Sequence, residues 1–405
     1  MRATVLLATA LLFACTKEST KASTAVERDS AGVHIVENGS RAPATWTVGS
    51  TPTIDIGGTA GDTKTELSEV VHAARIPDGR IVVLNGGTQE LRFFDSTGTF
   101  LTAAGRKGSG PGEFEAPVWM RTAAAQIFVY DILHRRFTVL DTAGGLVQNF
   151  SFSLRNDVTA SVVVPVDRMP DGRILANNAE FKFPFPGGAG ATRRDSAWVL
   201  LFDSTGALVD SVGHFPANDF FGLEMNFGGQ SAVVPMPMPF PRTLAVAAVG
   251  QRVYIGTGDT YEFGMYGADG TLRGLVRRKI EPHTVTSDDI ARFKEFRRTQ
   301  PLPQSVPKAF EETLRSAYDK APFPKTTPPY AAFTVDDDGN LWVQESVITG
   351  DDPTPWSIFA PDGKLLASVT TPARFRLTQA GSGFVLGVWQ DEDDVQHVRS
   401  YSLTR

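Results

Sequence analysis

Six histidines and one cysteine are the side chains of this sequence best suited to metal or nucleophilic chemistry. A metal ion would need several histidines from distant segments to converge. His72, His134, His214, His283 and His397 are scattered along the chain, with His34 near the N-terminus. Only His72 is placed, by the repeat described below, where convergence could occur, and the positions aligned with it carry no ligand. No metal site or other cofactor is therefore expected, and His72 with a divalent cation is the one candidate. Asp336, Asp337 and Asp338 before Gly339 have part of the composition of a calcium loop, but no bidentate Glu stands at the twelfth loop position. They fall at a tight-turn position, and a solvated turn is expected. The run QDEDD at 390–394 could draw a cation or simply face water. Asp95, Asp141 and Asp203 each open an Asp-x-x-Gly turn, where the carboxylate accepts from local backbone N–H groups. There is no Gly-x-Ser-x-Gly elbow and no Walker A loop. The densest binding chemistry lies at Asp131, His134, Arg135 and Arg136, with Arg106, Lys107 and Glu113 in the Gly-rich stretch before them. An acid, a titratable ring and several cations make these seven residues the candidate ligand-binding set.

The elements that must position these side chains are announced by a duplicated octapeptide. Residues 75–82 read RIPDGRIV and residues 168–175 read RMPDGRIL. Each joins two apolar runs through a Pro-Asp-Gly turn, the pattern of a tight β-hairpin. Each is followed by a second hairpin, LRFFDSTGTFL after the first and VLLFDSTGALV after the second. The unit is thus four strands. Half the 93-residue offset is about 46, where WMRTAAAQIFVYD and RFTVLDTAGGLV supply a middle copy. Three more units follow at lower fidelity, and the last lacks an outer strand because the chain stops at Arg405. Six four-stranded units predict an all-β fold, a six-bladed β-propeller, with TPTIDIG (51–57) closing the last blade. The short turns fall on one side of the disc. The long insertions, 177–198, 214–242 and 281–330, fall on the other. The last contains a small helical insertion over about 284–322, opened by a capping box at Thr286 and Asp289.

Two family resemblances attach to these residues. GRKGSGPGEFEAPVWM (105–120) followed by IFVYDILHRRFTVLDTAG resembles the NHL repeat, in which the basic residue of the connection is often structural. The domain as a whole looks like the six-bladed propellers of bacterial envelope lipoproteins. The N-terminus, MRATVLLATALLFAC, resembles a lipoprotein signal whose cleavage recognition matches Leu12, Phe13, Ala14 and Cys15. The resemblance implies removal of residues 1–14 and lipidation of Cys15, with Thr16 favouring the outer membrane. Residues 15–32 are polar enough for a flexible tether, and residues 33–405 would be the propeller.

Composition narrows the partners. A formal net charge of −6 without basic runs gives no surface for phosphate backbones, so no nucleic acid is expected. The membrane is expected to be met through the lipid alone and the chain to act as a monomer. With Cys15 the sole cysteine, the folded domain has neither a disulfide nor a thiol nucleophile. The expected function is a lipid-anchored envelope module that binds a protein, peptide or glycan on its insertion-bearing face. The alternative is a metal-dependent propeller enzyme, lactonase-like or resembling a peptide-amidating lyase.

Overall fold

The computed structural model describes residues 25–58, 61–154, 162–179, 185–302 and 306–405. Cys15 and the signal-like segment lie outside these residues. Six antiparallel sheets follow one another along the chain, at residues 70–104, 117–151, 162–237, 245–278, 330–371 and 375–404. They are the six blades, numbered here in that order. Alternating apolar residues on the middle strands explain the packing. Ile81–Asn85 of blade 1 is buried along its whole length, and Phe94, Phe137, Phe202, Phe263 and Phe359 repeat as buried residues of the third strands. Side chains from one blade mix with those of the next in shared apolar clusters, so each blade is stable only beside a neighbour. The turns behave as their sequence predicts. Asp95 Oδ1 accepts from the N–H of Thr97 and Thr99 at 2.8 and 2.9 Å, and Gly98 takes the left-handed φ of 92° that the turn requires. Asp141 and Asp203 do the same in blades 2 and 3.

The first described residues form a strap around half the disc. Strands β1 (Val26–Ser30), β2 (Val33–Asn38), β3 (Ala44–Thr45), β4 (Thr47–Val48) and β5 (Ile54–Gly57) add to blades 4, 5 and 6 in turn. β2 lies parallel to the outer strand of blade 4, and β3 parallel to that of blade 5. β5 runs antiparallel to Gln396–Thr404 with Ile54 opposite Ser400, and so supplies the missing strand of blade 6. This is the closure expected from TPTIDIG. The end of the expected tether is different: residues 26–30 pair with β2 instead of trailing free, because the Ala31-Gly32 turn, with both φ values positive, folds them back as a hairpin. Asn38 fastens the strap between blades. Its amide donates to Gly363 O at 2.9 Å and accepts from Leu365 N at 2.8 Å.

All long insertions emerge on the face where the innermost strands begin. Residues 214–242, one of the long insertions, are mostly ladder: Leu208–Phe227 and Gln230–Pro237 form a long hairpin rising from blade 3. The segment between blades 4 and 5 carries α1 (Ser287–Thr299) and α2 (Lys308–Arg315). α1 starts at the predicted capping box, with Asp289 N donating to Thr286 Oγ1 and Thr286 N to Asp289 Oδ2. The hairpin and helices meet in a small apolar cluster of Phe221, Ala317, Tyr318 and Phe293.

Candidate functional site

The seven residues singled out on chemical grounds lie together in blade 2 and the crossing that leads into it, and three of them, Asp131, Glu113 and Arg136, hold the backbone. The Asp131 carboxylate is buried and accepts from Glu115 N at 2.6 Å, Ala116 N at 3.0 Å and His134 N at 3.0 Å. Arg136 donates to the carbonyls of Ser109, Gly110 and Glu113, stapling the Gly-rich crossing to the third strand. Glu113 accepts from Gly110 N and pairs with Arg106 at 2.6 Å. His134 stands 3.2 Å from Glu115. Lys107 and Arg135 face solvent. The set therefore works as a latch between the crossing and blade 2, with only Arg106, Lys107 and Arg135 presented outward.

His72 lies on the innermost strand of blade 1, opposite Leu84 of the second strand. Burial, and then the positive charges of Arg376 and Arg121, pull its pKa down to about 3, so the ring is neutral at physiological pH. Among the described residues no three His, Cys, Asp or Glu side chains are placed to hold a metal ion, and His72 has no companion ligands. Its depressed pKa has a consequence for stability. The unfolded chain takes up a proton near pH 6.5 and the folded one does not until about pH 3, so stability falls as pH drops through that window. The isosteric change His72→Gln is expected to leave the urea midpoint at pH 7.5 nearly unchanged and to raise stability at pH 4.5 by about 1–2 kcal/mol relative to the native chain. Equal shifts at both pH values would show that the ring takes up its proton in the fold as readily as in the unfolded chain.

The concave surface of the insertion face lies elsewhere, where α1 overhangs blades 5 and 6. Two clefts of about 390 and 350 Å³ adjoin there and share Phe296, Gln344, Val347 and Gly350. α1 is positioned over them by contacts at both sides. Phe293 packs on Phe240 and Tyr318, with ring centroids 5.0 and 5.3 Å apart, and Arg292 pairs with Asp352 on the connection that follows the second strand of blade 5. Gly350 fits beneath Phe296 because it has no side chain: a Cβ there would lie 2.9 Å from the ring. The smaller cleft is mainly apolar, with Met238, Phe240, Phe293, Val347 and Ile348 among its walls. The larger is more polar and holds Gln344, Gln390, Gln396, Arg374 and Arg376. Arg374 pairs with Asp394 and, at 3.5 Å, with Asp351. Arg376, at the start of the innermost strand of blade 6, donates to Val70 O at 2.6 Å and Val71 O at 3.1 Å. Among the described residues no carboxylate pairs with it.

Two further clefts have their charges satisfied from within. One, of about 390 Å³, sits between blades 3 and 4 and is walled by a network in which Arg194 and Arg242 share Asp259 and Arg242 also grips Asp219. The other, of about 500 Å³, opens on the short-turn face, where Gln379 bridges Arg75 N and Asp337. Asp336, the head of the calcium-like run, accepts from Asn340 N and Trp342 Nε1 and anchors its turn.

The capping box announced α1 in the sequence, but Arg376, Gln344 and Val347 were passed over. Nothing in their local sequence marks them. They become neighbours only when blades 5 and 6 pack side by side beneath α1.

Comparisons with known proteins agree with the fold. A family model described as a 6-bladed beta-propeller, DUF5128, matches residues 63–163. Comparison with curated proteins gives no match. Among solved structures the chain is similar to a DUF4221-family member from Bacteroides vulgatus, with 9% identity, 89% of this chain and 99% of that chain covered, and a TM-score of 0.53. It is also similar to the calcium-binding protein regucalcin from Agrobacterium tumefaciens, with 11% identity, 89% and 96% coverage and a TM-score of 0.39. Virginiamycin B lyase from Staphylococcus aureus gives 8% identity, 89% and 99% coverage and a TM-score of 0.39. At such identities the likeness is one of fold. The chain is a six-bladed β-propeller whose last blade is completed by its own N-terminal strand.

Proposed function

We propose that this protein is a binding module of the bacterial cell envelope, held to the outer membrane by lipid on Cys15, that captures a protein, peptide or glycan ligand in the cleft beneath α1. The observation that carries this reading is the pair of adjoining clefts built by the insertions on one face: an apolar chamber opening into a polar one, in the size range of small-ligand sites. Loops and insertions on a rigid disc are where such sites are placed. The metal-dependent alternative has no ligand set among the described residues to support it. Val347 stands at the waist between the two chambers, so Val347→Trp should block both. In a thermal-shift screen of peptides, glycans and small acids against the chain from Thr16, ligands that raise the melting temperature should lose their effect in this variant. Ligands that stabilise both proteins equally would place the site elsewhere. The anchor is tested separately: Cys15→Ser should move the protein from the membrane fraction to the soluble fraction of cell extracts, and unchanged membrane retention would remove the lipid.

A further inference from the structure

Resting on that reading, we propose that the cleft is selective for an amphipathic monocarboxylate: a single carboxylate held by Arg376, with an apolar body running past Val347 into the chamber walled by Met238, Phe240, Phe293 and Ile348. The argument begins with Arg376. It is solvent-exposed on the innermost strand of blade 6 and makes its bonds to two backbone carbonyls of blade 1, which are neutral acceptors. Among the described residues its remaining N–H groups have no partner, and the residue lines the larger cleft. A guanidinium that two carbonyls hold in place, that solvent reaches and that no carboxylate neutralises is open to an anion from solution.

The surroundings restrict which anion. Arg374, the other cation of the cleft, is already taken by Asp351 and Asp394. His72, on the innermost strand of blade 1, is neutral at physiological pH. One guanidinium without a carboxylate partner, in a cleft whose lining also includes Gln344 and Gln390, suits a monoanion with oxygen acceptors, which the planar fork grips well. A phosphate dianion would leave one charge unbalanced in the same place. The other end of the ligand is set by the adjoining chamber, whose aromatic, Met and Ile walls recognise hydrocarbon and offer few polar partners.

The experiment is calorimetric titration of the chain from Thr16, which retains every described residue, with dodecanoate, dodecanamide, dodecyl phosphate and dodecyltrimethylammonium below their micellar concentrations. Dodecanoate is expected to bind at least tenfold more tightly than dodecanamide or the ammonium compound. Arg376→Gln should weaken dodecanoate at least tenfold while leaving dodecanamide unchanged, and Val347→Trp should abolish both. Arg376→Lys, which keeps the charge and lacks the fork, should fall between the native chain and the Gln variant, and melting curves of both Arg376 variants establish that they are folded. Dodecanoate binding unaffected by Arg376→Gln, or a preference for the ammonium compound, would overturn the proposal. Tighter binding of dodecyl phosphate would overturn the monocarboxylate class. If dodecanoate fails while a peptide or glycan is captured and then lost in Val347→Trp, this inference falls and the cleft remains the binding site; if no ligand responds to Val347→Trp, both fall.

Discussion

A chain beginning at residue 59 is expected to lose cooperative folding altogether, although it keeps every strand of the six repeats. The reason is geometric. Blade 6 draws only three strands from the repeat, and without β5 the strand Gln396–Thr404 becomes an open edge at the seam of the ring. β5 also contributes side chains that nothing else replaces. Ile54 and Ile56 sit in the cluster that joins blade 6 to blade 1, with Phe94, Leu386 and Val398. Asp55 between them holds His397 at 2.7 Å and Arg399 at 2.8 Å. Ile56→Ala alone should cost about 2–5 kcal/mol, since its site is enclosed by rigid strands that cannot collapse into the void. Removing only residues 25–38 should do less damage. Blade 4 has its own four strands, so β1 and β2 are additions, and the loss is confined to Ile35, Val36 and the Asn38 bridge. Circular dichroism melts of the three variants give the test. A chain from residue 59 that melts within a few degrees of the full protein would show that the seam closes without the strap.

The same contrast shows what could be read in advance and why. The blades were legible because their signals are local. A Pro-Asp-Gly or Asp-Ser-Thr-Gly turn flanked by alternating apolar residues specifies a hairpin wherever it occurs, and Asp78, Asp95 and Asp203 all cap their turns as the pattern requires. Closure by β5 was legible by subtraction, since the last repeat ends one strand short. The start of the strap was less so. Residues 26–30 are polar and exposed along their length, and their pairing with β2 depends on the Ala31-Gly32 turn more than on any apolar pattern. The hairpin in residues 214–242 was hidden by its Met, Phe and Pro content, which resembles a loop, while its ladder is set by pairing of Phe220–Phe227 with Gln230–Pro237. The cleft was least legible. Its walls come from α1, the connection after the second strand of blade 5 and the innermost strand of blade 6, and no sequence window contains them together. The residues with the most conspicuous chemistry, those in and just before blade 2, drew attention because charged groups near glycines look like a site; the fold uses three of them, Asp131, Glu113 and Arg136, to satisfy backbone N–H and C=O groups that the Gly-rich crossing would otherwise leave unpaired.

Asp131→Ala separates those two uses of a charged residue. The carboxylate is almost fully enclosed, and three backbone N–H groups point at it. Alanine would strand all three, and the loss is expected to be about 3–5 kcal/mol at pH 7, since hydrogen bonds to a charged acceptor contribute more than neutral ones. Asparagine does not rescue it fully, because its amide NH₂ would face donors. The pH dependence provides an independent check. Burial opposes the charge of Asp131, but the N–H groups of Glu115, His134 and Ala116 outweigh it and hold the carboxyl below its ordinary range. A depressed carboxyl pKa stabilises the fold above the unfolded value, near 4, and that contribution disappears as pH falls through the folded value. The gap between the native chain and Asp131→Asn, measured by urea unfolding, should therefore be widest near neutrality and narrow below pH 4. Ligand uptake by the cleft beneath α1, on the far side of the ring between blades 5 and 6, should be unchanged in whatever fraction of the variant is folded. A variant that kept its stability and lost ligand uptake would return the site to blade 2, where the sequence first suggested it.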